Sequence, residues 1–395
     1  MWNTVKLGDV CELATGGTPS RKEKEYFENG NIKWLVSGDI NQREIYDCEG
    51  RITNEGLLNS NAKYLPENSV LIALNGQGKT RGTVALLRTQ ATCNQSLVSI
   101  NPKTDVALDT KFLFYVLDGM YEKIRTMTGD SGNDRRGLNM PLIRGIEIPL
   151  PPLAEQQRIV AKLDAAFAEV DRAMEVVAEK EKQSGQLADT ALDQIADLDG
   201  EIVTLAEVCS IDATLVSPTE EPYLHQKHIG AGNIISFSNE LVDILTAEEE
   251  KLTSGKYPFN TTSVLYSKIR PYLRKVHLPE FVGICSADMY PLVPAKEKLT
   301  REFLFYLLLS SQFTNYAITG SARAGMPKVN RNHLFAYKFA LPTYSSQRAF
   351  SEKMEDILSQ TRCLKSLYQR QINALTSLKS AILHQELQPP KSEAA

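Results

Sequence analysis

A proline cluster followed by a long amphipathic stretch constrains this chain more than any other feature. Pro149, Pro151 and Pro152 cannot sit inside a helix, and behind them apolar residues recur at Ile159, Leu163, Ala166, Val170, Ala173 and Val177. Those spacings of four and three fall on one helix face, so a long helix starts just after a proline stop. The design returns near the C-terminus, where Leu341 and Pro342 precede Phe350, Met354, Ile357, Thr361, Leu364, Tyr368, Leu375, Leu378 and Ile382. At roughly 1.5 Å per residue, each stretch reaches about 60 Å if unbroken. Neither has enough apolar surface to be buried all round. The stripes are therefore expected to pair as an antiparallel coiled coil, Ile159, Leu163, Val170 and Val177 against Phe350, Met354, Ile357, Leu364, Leu375 and Leu378. Gly185, in the polar run EKEKQSGQ, is where the first helix is open to interruption.

The rest of the chain is duplicated as well. WNTVKLGDVCEL (2–13) resembles GEIVTLAEVCSI (200–211), and KFLFYVL (111–117) resembles EFLFYLL (302–308). TGDSGNDRRGLN (128–139) lies over TGSARAGMPKVN (319–330), and IEIPLPPLAEQQR (146–158) over YKFALPTYSSQRA (337–349), at a constant offset of 191 from Lys111 onward. Two halves of one plan follow from such a period. Within each half, short apolar runs such as SVLIAL, GTVALL and TSVLYSKI are broken by Gly, Asn and Pro, which predicts strands and turns. The expected fold is α+β: two pseudo-symmetric globular α/β domains, separated and joined by the two long helices. The predicted boundaries are a first domain at 1–150, a central helix at 151–199, a second domain at 200–342, a C-terminal helix at 343–388 and a flexible tail at 389–395.

Bulk charge does not point to nucleic acid. Residues 1–150 and 201–344 are each neutral, the central stretch 151–200 sets five Lys and Arg against eleven Asp and Glu, and the chain carries −4 overall. Any nucleic-acid site must be local. No apolar run of about 18 residues and no secretory leader pattern is present, so a cytoplasmic protein with no membrane partner is expected. The six cysteines at 11, 48, 93, 209, 285 and 363 show no metal-ligand spacing. Cys11 with Cys209 and Cys93 with Cys285 match across the repeat, which suits small reduced core residues.

Three strings carry candidate chemistry. ALNGQGKT (73–80) satisfies a phosphate-loop pattern, but the following RGTVALLRT is β-branched where such a loop must open a helix. What this loop shares with its counterpart SKIRPYLRKV is positive charge beside hydroxyls: Lys79, Thr80, Arg81 and Thr83 in the first half, Lys268, Arg270, Tyr272, Arg274 and Lys275 in the second. Such residues on a turn between strands suit phosphate and base-edge contacts. A glycine-rich basic loop is the second string, with Arg135 and Arg136 in one copy and Arg323, Lys328 and Arg331 in the other. The third matches WLVSGDI (34–40) with LHQKHI (224–229), placing Ser37, Asp39, Gln226 and His228 at related positions. Solvated turns use the same letters, and it is the glycine-rich loop, recurring in both halves at a fixed offset while its letters change, that favours binding. Enzyme signatures are absent: no [DNS]PP[FYW], HExxH or GxSxG, and five scattered histidines. The expectation is a chain that binds and does not catalyse.

Two variable domains, each ended by IPLPPLAEQQRIV or its degraded twin FALPTYSSQRAF and a long helix, resemble the specificity subunit of type I restriction-modification systems. The second copy lacks counterparts of Pro149, Pro152 and Glu155. The resemblance implies two target-recognition domains, each reading half of a bipartite asymmetric double-stranded DNA sequence, with the helices as a ruler for the gap between the halves. It implies as partners two modification (methyltransferase) subunits and restriction (translocase and nuclease) subunits. No cofactor is expected on this chain; S-adenosylmethionine, ATP and Mg belong to those partners. A coiled-coil scaffold with two heads that bind proteins is the alternative that the residues leave open.

Overall fold

The computed structural model describes residues 2–76, 79–128, 137–320 and 327–389. They form two compact units that do not follow the linear order of the chain: Met1–Glu175 with Ile372–Ala395, and Val176–Gln371. Each long helix contributes one part to each unit. The first long helix runs Leu153–Asp193 and continues unbroken through Gly185, and the second runs Tyr344–Glu386.

The strands of the first unit, in chain order, are β1 (Asn3–Lys6), β2 (Cys11–Thr15), β3 (Ile32–Leu35), β4 (Glu44–Ile45), β5 (Arg51–Ile52), β6 (Val70–Ala73), β7 (Val84–Leu87), β8 (Thr92–Cys93), β9 (Leu97–Pro102) and β10 (Glu147–Leu150). A five-stranded sheet has the order β2-β9-β6-β7-β4, and a three-stranded sheet the order β5-β3-β8. Successive side chains of a strand point to opposite faces. Val70 and Ile72 of β6 accordingly join the core under helix Thr110–Gly119, while Leu71 and Ala73 join a separate cluster with Leu35 and Ile45. Burial on both faces is why SVLIAL reads as an uninterrupted apolar run. The main core collects Phe112, Leu113, Val116 and Leu117 from helix Thr110–Gly119, Ile159, Leu163 and Phe167 from the first long helix, and Leu383 from the end of the second.

The second unit repeats the scheme with β11 (Glu201–Thr204), β12 (Cys209–Ser210), β13 (His228–Ile229), β14 (Lys256–Phe259), β15 (Val264–Ser267), β16 (Val276–His277), β17 (Gly283–Ser286), β18 (Met289–Pro294) and β19 (Lys338–Leu341). Its sheets have the orders β12-β18-β15-β16 and β13-β17-β14. Its core takes Phe303, Leu304, Leu307 and Leu308 from helix Arg301–Leu309, Phe350 and Met354 from the start of the second long helix, Ala188 and Leu192 from the end of the first, and Ile195 from the 3-10 turn Gln194–Asp197 that follows it. Each unit thus buries the start of one long helix and the end of the other.

A two-stranded antiparallel ribbon closes each unit just before its proline stop. Val5 faces Ile148 in β1 and β10, and Val203 faces Phe339 in β11 and β19. The cysteine matches are core matches: Cys93 pairs with Leu35 and Cys285 with Ile229 in parallel ladders, and Cys11 and Cys209 face Pro102 and Pro294. All six cysteines are free thiols. Burial pushes those of Cys11, Cys93 and Cys209 up to about 12, which keeps them protonated and inert.

The helix stripes need correction. The two helices run antiparallel within each unit. In the first, Lys162 meets Glu386 at 2.7 Å and Asp171 meets Lys379 at 2.6 Å; in the second, Lys353 donates to Gln194 at 3.1 Å while Gly185 lines a cleft with Thr361 and Lys365. Ile159, Leu163, Phe350 and Met354, however, sit in domain cores. Val170 is buried, and Val177, Ile357 and Leu375 are half-buried. Leu364 and Leu378 are exposed, at 38 % and 46 %. A heptad count assumes 3.5 residues per turn, whereas an uncoiled helix has 3.6 and drifts by about 20° per heptad. From Met354 the heptad points to Ile382; the helix instead buries Leu383.

Candidate nucleic-acid interface

ALNGQGKT leads into no helix. It joins β6 to β7, adjacent antiparallel strands in which Leu71 faces Ala85, so the helix N-terminus that a phosphate loop requires is replaced by a strand. Positive φ at Gly76 and Gly82 lets the connection turn sharply. Lys79 is exposed at the turn, while Thr80, Arg81 and Thr83 are half-buried. The Lys79 carbonyl accepts from the Thr83 hydroxyl at 2.6 Å and from the Tyr121 hydroxyl at 2.9 Å. Arg125 in turn donates to that hydroxyl at 2.6 Å and lies 5.8 Å from the Tyr121 ring. Tyr121 and Arg125 therefore buttress the turn. The sequence pattern hides them, because KFLFYVLDGMYEKIRTM reads as one helix and the structure divides it at Met120 into Thr110–Gly119 and Tyr121–Thr126.

The flank of the glycine loop docks on the same turn. Leu138 N donates to the Leu74 carbonyl at 2.9 Å, and a Cβ on Gly137 would lie 1.7 Å from Asn75 Oδ1, so any larger residue there would have to push the Asn75 side chain aside. Arg135 and Arg136 lie outside the described residues, as does Arg323 in the other copy.

The second unit makes the same junction with different letters. Val329 N donates to the Lys268 carbonyl at 2.8 Å, Arg270 N donates to the Pro327 carbonyl at 3.0 Å, and Ile269 bridges Lys328. Val329 stands 191 positions after Leu138, so the two loops matched by the repeat are neighbours in both units.

Around this junction the side chains divide by exposure. Arg270, Tyr272, Lys328 and Arg331 are exposed. Arg274 turns inward, contacting Asp189 at 2.5 Å and Ser311 at 3.0 Å, with its guanidinium 5.4 Å from the Phe237 ring. Lys275 donates to the Ala231 carbonyl at 2.6 Å. Lys268 is largely covered, bonded to the Ala287 carbonyl and 5.1 Å from the Tyr290 ring; burial, then the like charge of Lys328, lowers its pKa against the pull of Asp288. The last three are held by the protein itself, and Lys328, though exposed, pairs with Asp288 at 3.1 Å.

The third match shifts in register. His228 faces Ile284 in β13 and β17 as Trp34 faces Thr92 in β3 and β8, which makes His228 the counterpart of Trp34 and not of a polar loop residue. His228 is buried with Nδ1 3.1 Å from Glu250, and burial lowers its pKa despite that carboxylate. Asp39 accepts from Val36 N at 2.7 Å and so closes its own turn, with Ser37 half-buried beside it. Gln226 buries its Oε1 without a partner, and Lys227 next to it is exposed.

Among the described residues, no group of His, Cys, Asp or Glu is placed to hold a metal ion, and no helix is long and apolar enough to cross a membrane.

The arrangement has known relatives. The family model for the type I restriction modification DNA specificity domain matches twice, over residues 1–175 and 198–373. The EcoDI type I restriction enzyme specificity subunit of Escherichia coli is 25% identical over 97% of this chain and 87% of its own length. The EcoprrI specificity subunit of Escherichia coli is 32% identical over 40% of this chain and 41% of its own length. Among solved structures, a chain from a study of assembly and conformational transition of the type I R-M system covers 99% of this chain and 98% of its own length at 20% identity, with a TM-score of 0.74. The HsdS subunit from Thermoanaerobacter tengcongensis gives 0.54 at 19% identity over 98% of this chain and 96% of its own. These two show the shared fold. With both halves covered by the family model, the chain belongs to the type I restriction-modification DNA specificity family.

Proposed function

We propose that this chain reads a two-part DNA sequence, one part per unit, and brings to it the modification and restriction subunits of a type I complex. The observation that carries this reading is the repeated junction: Leu138 to Leu74 in one unit and Val329 to Lys268 in the other fix the same pair of loops side by side. One scaffold then displays different side chains in the two units, Lys79 exposed in the first and Arg270, Tyr272, Lys328 and Arg331 in the second, which is what reading two unlike half-sites requires. Phosphate contacts by Lys79, Arg270, Lys328 and Arg331 supply affinity, and base-edge contacts from the turns supply selectivity. The long helices serve as the spacer between the half-sites. The chain itself is non-catalytic in this reading; two partner methyltransferase subunits use S-adenosylmethionine, and ATP and Mg act on the translocating subunits.

The test is a domain exchange at 200–342, boundaries that keep β11 paired with β19. Replacing that segment by the corresponding one of a relative, expressing the chimera with its modification partners and sequencing modified adenines should change one half of the methylated motif. Alteration of both halves would refute the assignment of one half-site to each unit.

A further inference from the structure

We infer that Tyr272 is the residue by which the second unit distinguishes bases. The inference rests on the DNA-reading function proposed above and names the side chain that performs it. Tyr272 occupies the middle of a single 3-10 turn, Pro271–Leu273, between β15 and β16. The residues on either side of that turn, Arg270 and Arg274, are both left-handed, at φ 48° and 45°, a conformation that side chains other than glycine disfavour. The equivalent connection in the first unit places glycines, Gly76 and Gly82, at its positive-φ positions.

The second unit's turn is held in that shape from several directions. Arg270 N is tied to the Pro327 carbonyl, Arg274 contacts Asp189 and Ser311, and Lys275 Nζ reaches the Ala231 carbonyl. Disfavoured backbone that the surroundings over-determine is a mark of a preorganised site. What the turn presents is a phenol that is 54% exposed. Among the described residues nothing hydrogen-bonds its hydroxyl, and no ring stacks on it.

The neighbourhood supplies the other half of the argument. Arg270, Lys328 and Arg331 are exposed around the same junction and suit phosphates, which position a protein on a duplex without conveying sequence. A rigid aromatic ring with a hydroxyl at its tip can do what those cations cannot: press its face on a thymine methyl or an unstacked base, and donate to or accept from a base edge. Tyr272 therefore reads, and the arginines and lysine around it hold.

The experiment uses the full chain co-expressed with its modification partners, with Tyr272→Ala, Tyr272→Phe and Arg270→Ala compared with the parent by selection of bound duplexes from a random pool at two salt concentrations. Tyr272→Ala should relax base preference at one or two positions of the second half-site by about ten- to hundredfold and leave the first half-site and the salt dependence unchanged. Tyr272→Phe should keep the part of that preference due to the ring. Arg270→Ala should weaken all sequences alike and lower the salt slope by about one. Unchanged base preference in Tyr272→Ala, with a selective parent and an unaltered melting temperature, overturns the inference alone. A parent complex with no sequence preference overturns the DNA-reading function as well.

Discussion

Gln156 accepts the N–H of Asp109 on its Oε1 at 2.8 Å, while its Nε2 donates to the carbonyls of Ala107 and Pro151 at 2.9 and 2.8 Å. Asp109 itself caps helix Thr110–Gly119 by accepting from Phe112 N at 2.8 Å. One fully buried amide thus locks the proline stop, the start of the first long helix and the cap of the domain helix together. Gln347 does the same at the repeat offset, with Thr300 N, the Lys298 carbonyl and the Pro342 carbonyl.

Replacing Gln156 by Leu removes the partner of three backbone groups, of which the Pro151 carbonyl is buried and costs about 1–3 kcal/mol when unpaired, while those of Asp109 and Ala107 lie nearer to solvent and lose less. A loss of about 3 kcal/mol is expected, read as faster amide hydrogen exchange at Asp109, Phe112 and the first turns of the long helix. Gln347→Leu should reproduce the effect at Thr300 and Phe303 in the second unit and leave the first unit protected.

The corrected stripe on the second long helix gives the next expectation. Met354 is fully buried against the second core, so Met354→Ala should destabilise that unit by about 2–5 kcal/mol. Leu364→Ala and Leu378→Ala, at exposed positions, should stay within about 0.5 kcal/mol. Urea unfolding followed by exchange in each unit separates the cases, and a large effect at Leu364 would restore it to a buried seam.

These residues show which parts of the architecture sequence reasoning reaches. Proline stops, the 191-residue offset and the twin strings FLFYVL and FLFYLL are local patterns, and each became an element at the expected place. Phe167 and Leu383 escaped because the helices follow 3.6 residues per turn and pack on domain cores, so a heptad seam misassigns positions as the drift accumulates. The register of His228 against Trp34 escaped for a different reason. It is set by parallel pairing with strands more than fifty residues further on, Thr92 and Ile284, and two-residue strands give no periodicity to count. At the candidate interface, charge and glycine marked the loops, but only the fold separates Arg274, turned to Asp189, from Arg270, left in solvent.

That division predicts unlike behaviour from similar arginines and lysines. Lys79→Ala and Arg331→Ala, at exposed positions, should each reduce the slope of log affinity against log salt by about one, with folding unaffected. Arg274→Ala removes the contacts to Asp189 and Ser311 that hold a left-handed residue, and should lower stability before it alters any salt slope. Salt titrations of binding, paired with thermal melting of the same variants, distinguish the two classes.

His277 ties stability to acidity. Its side chain is buried, Nδ1 lies 3.0 Å from the Asn239 carbonyl and Nε2 has no partner, and burial lowers its pKa from 6.5 to about 4. The Glu280 carboxylate opposes that change and Arg301 adds to it, both more weakly than burial. Between those two values the unfolded chain binds a proton that the folded chain does not, so stability falls as pH drops through 6.5 and levels off below about 4. A tenfold difference in proton affinity between folded and unfolded chain is worth about 1.4 kcal/mol, which puts the contribution of this one side chain at up to about 3 kcal/mol. His277→Gln keeps a polar side chain that can contact the Asn239 carbonyl but cannot titrate. The variant should therefore show a flatter stability profile between pH 6.5 and 4 than the parent, measured by urea unfolding at a series of pH values. Profiles of equal steepness would show that His277 is protonated in the folded chain as readily as in the unfolded one.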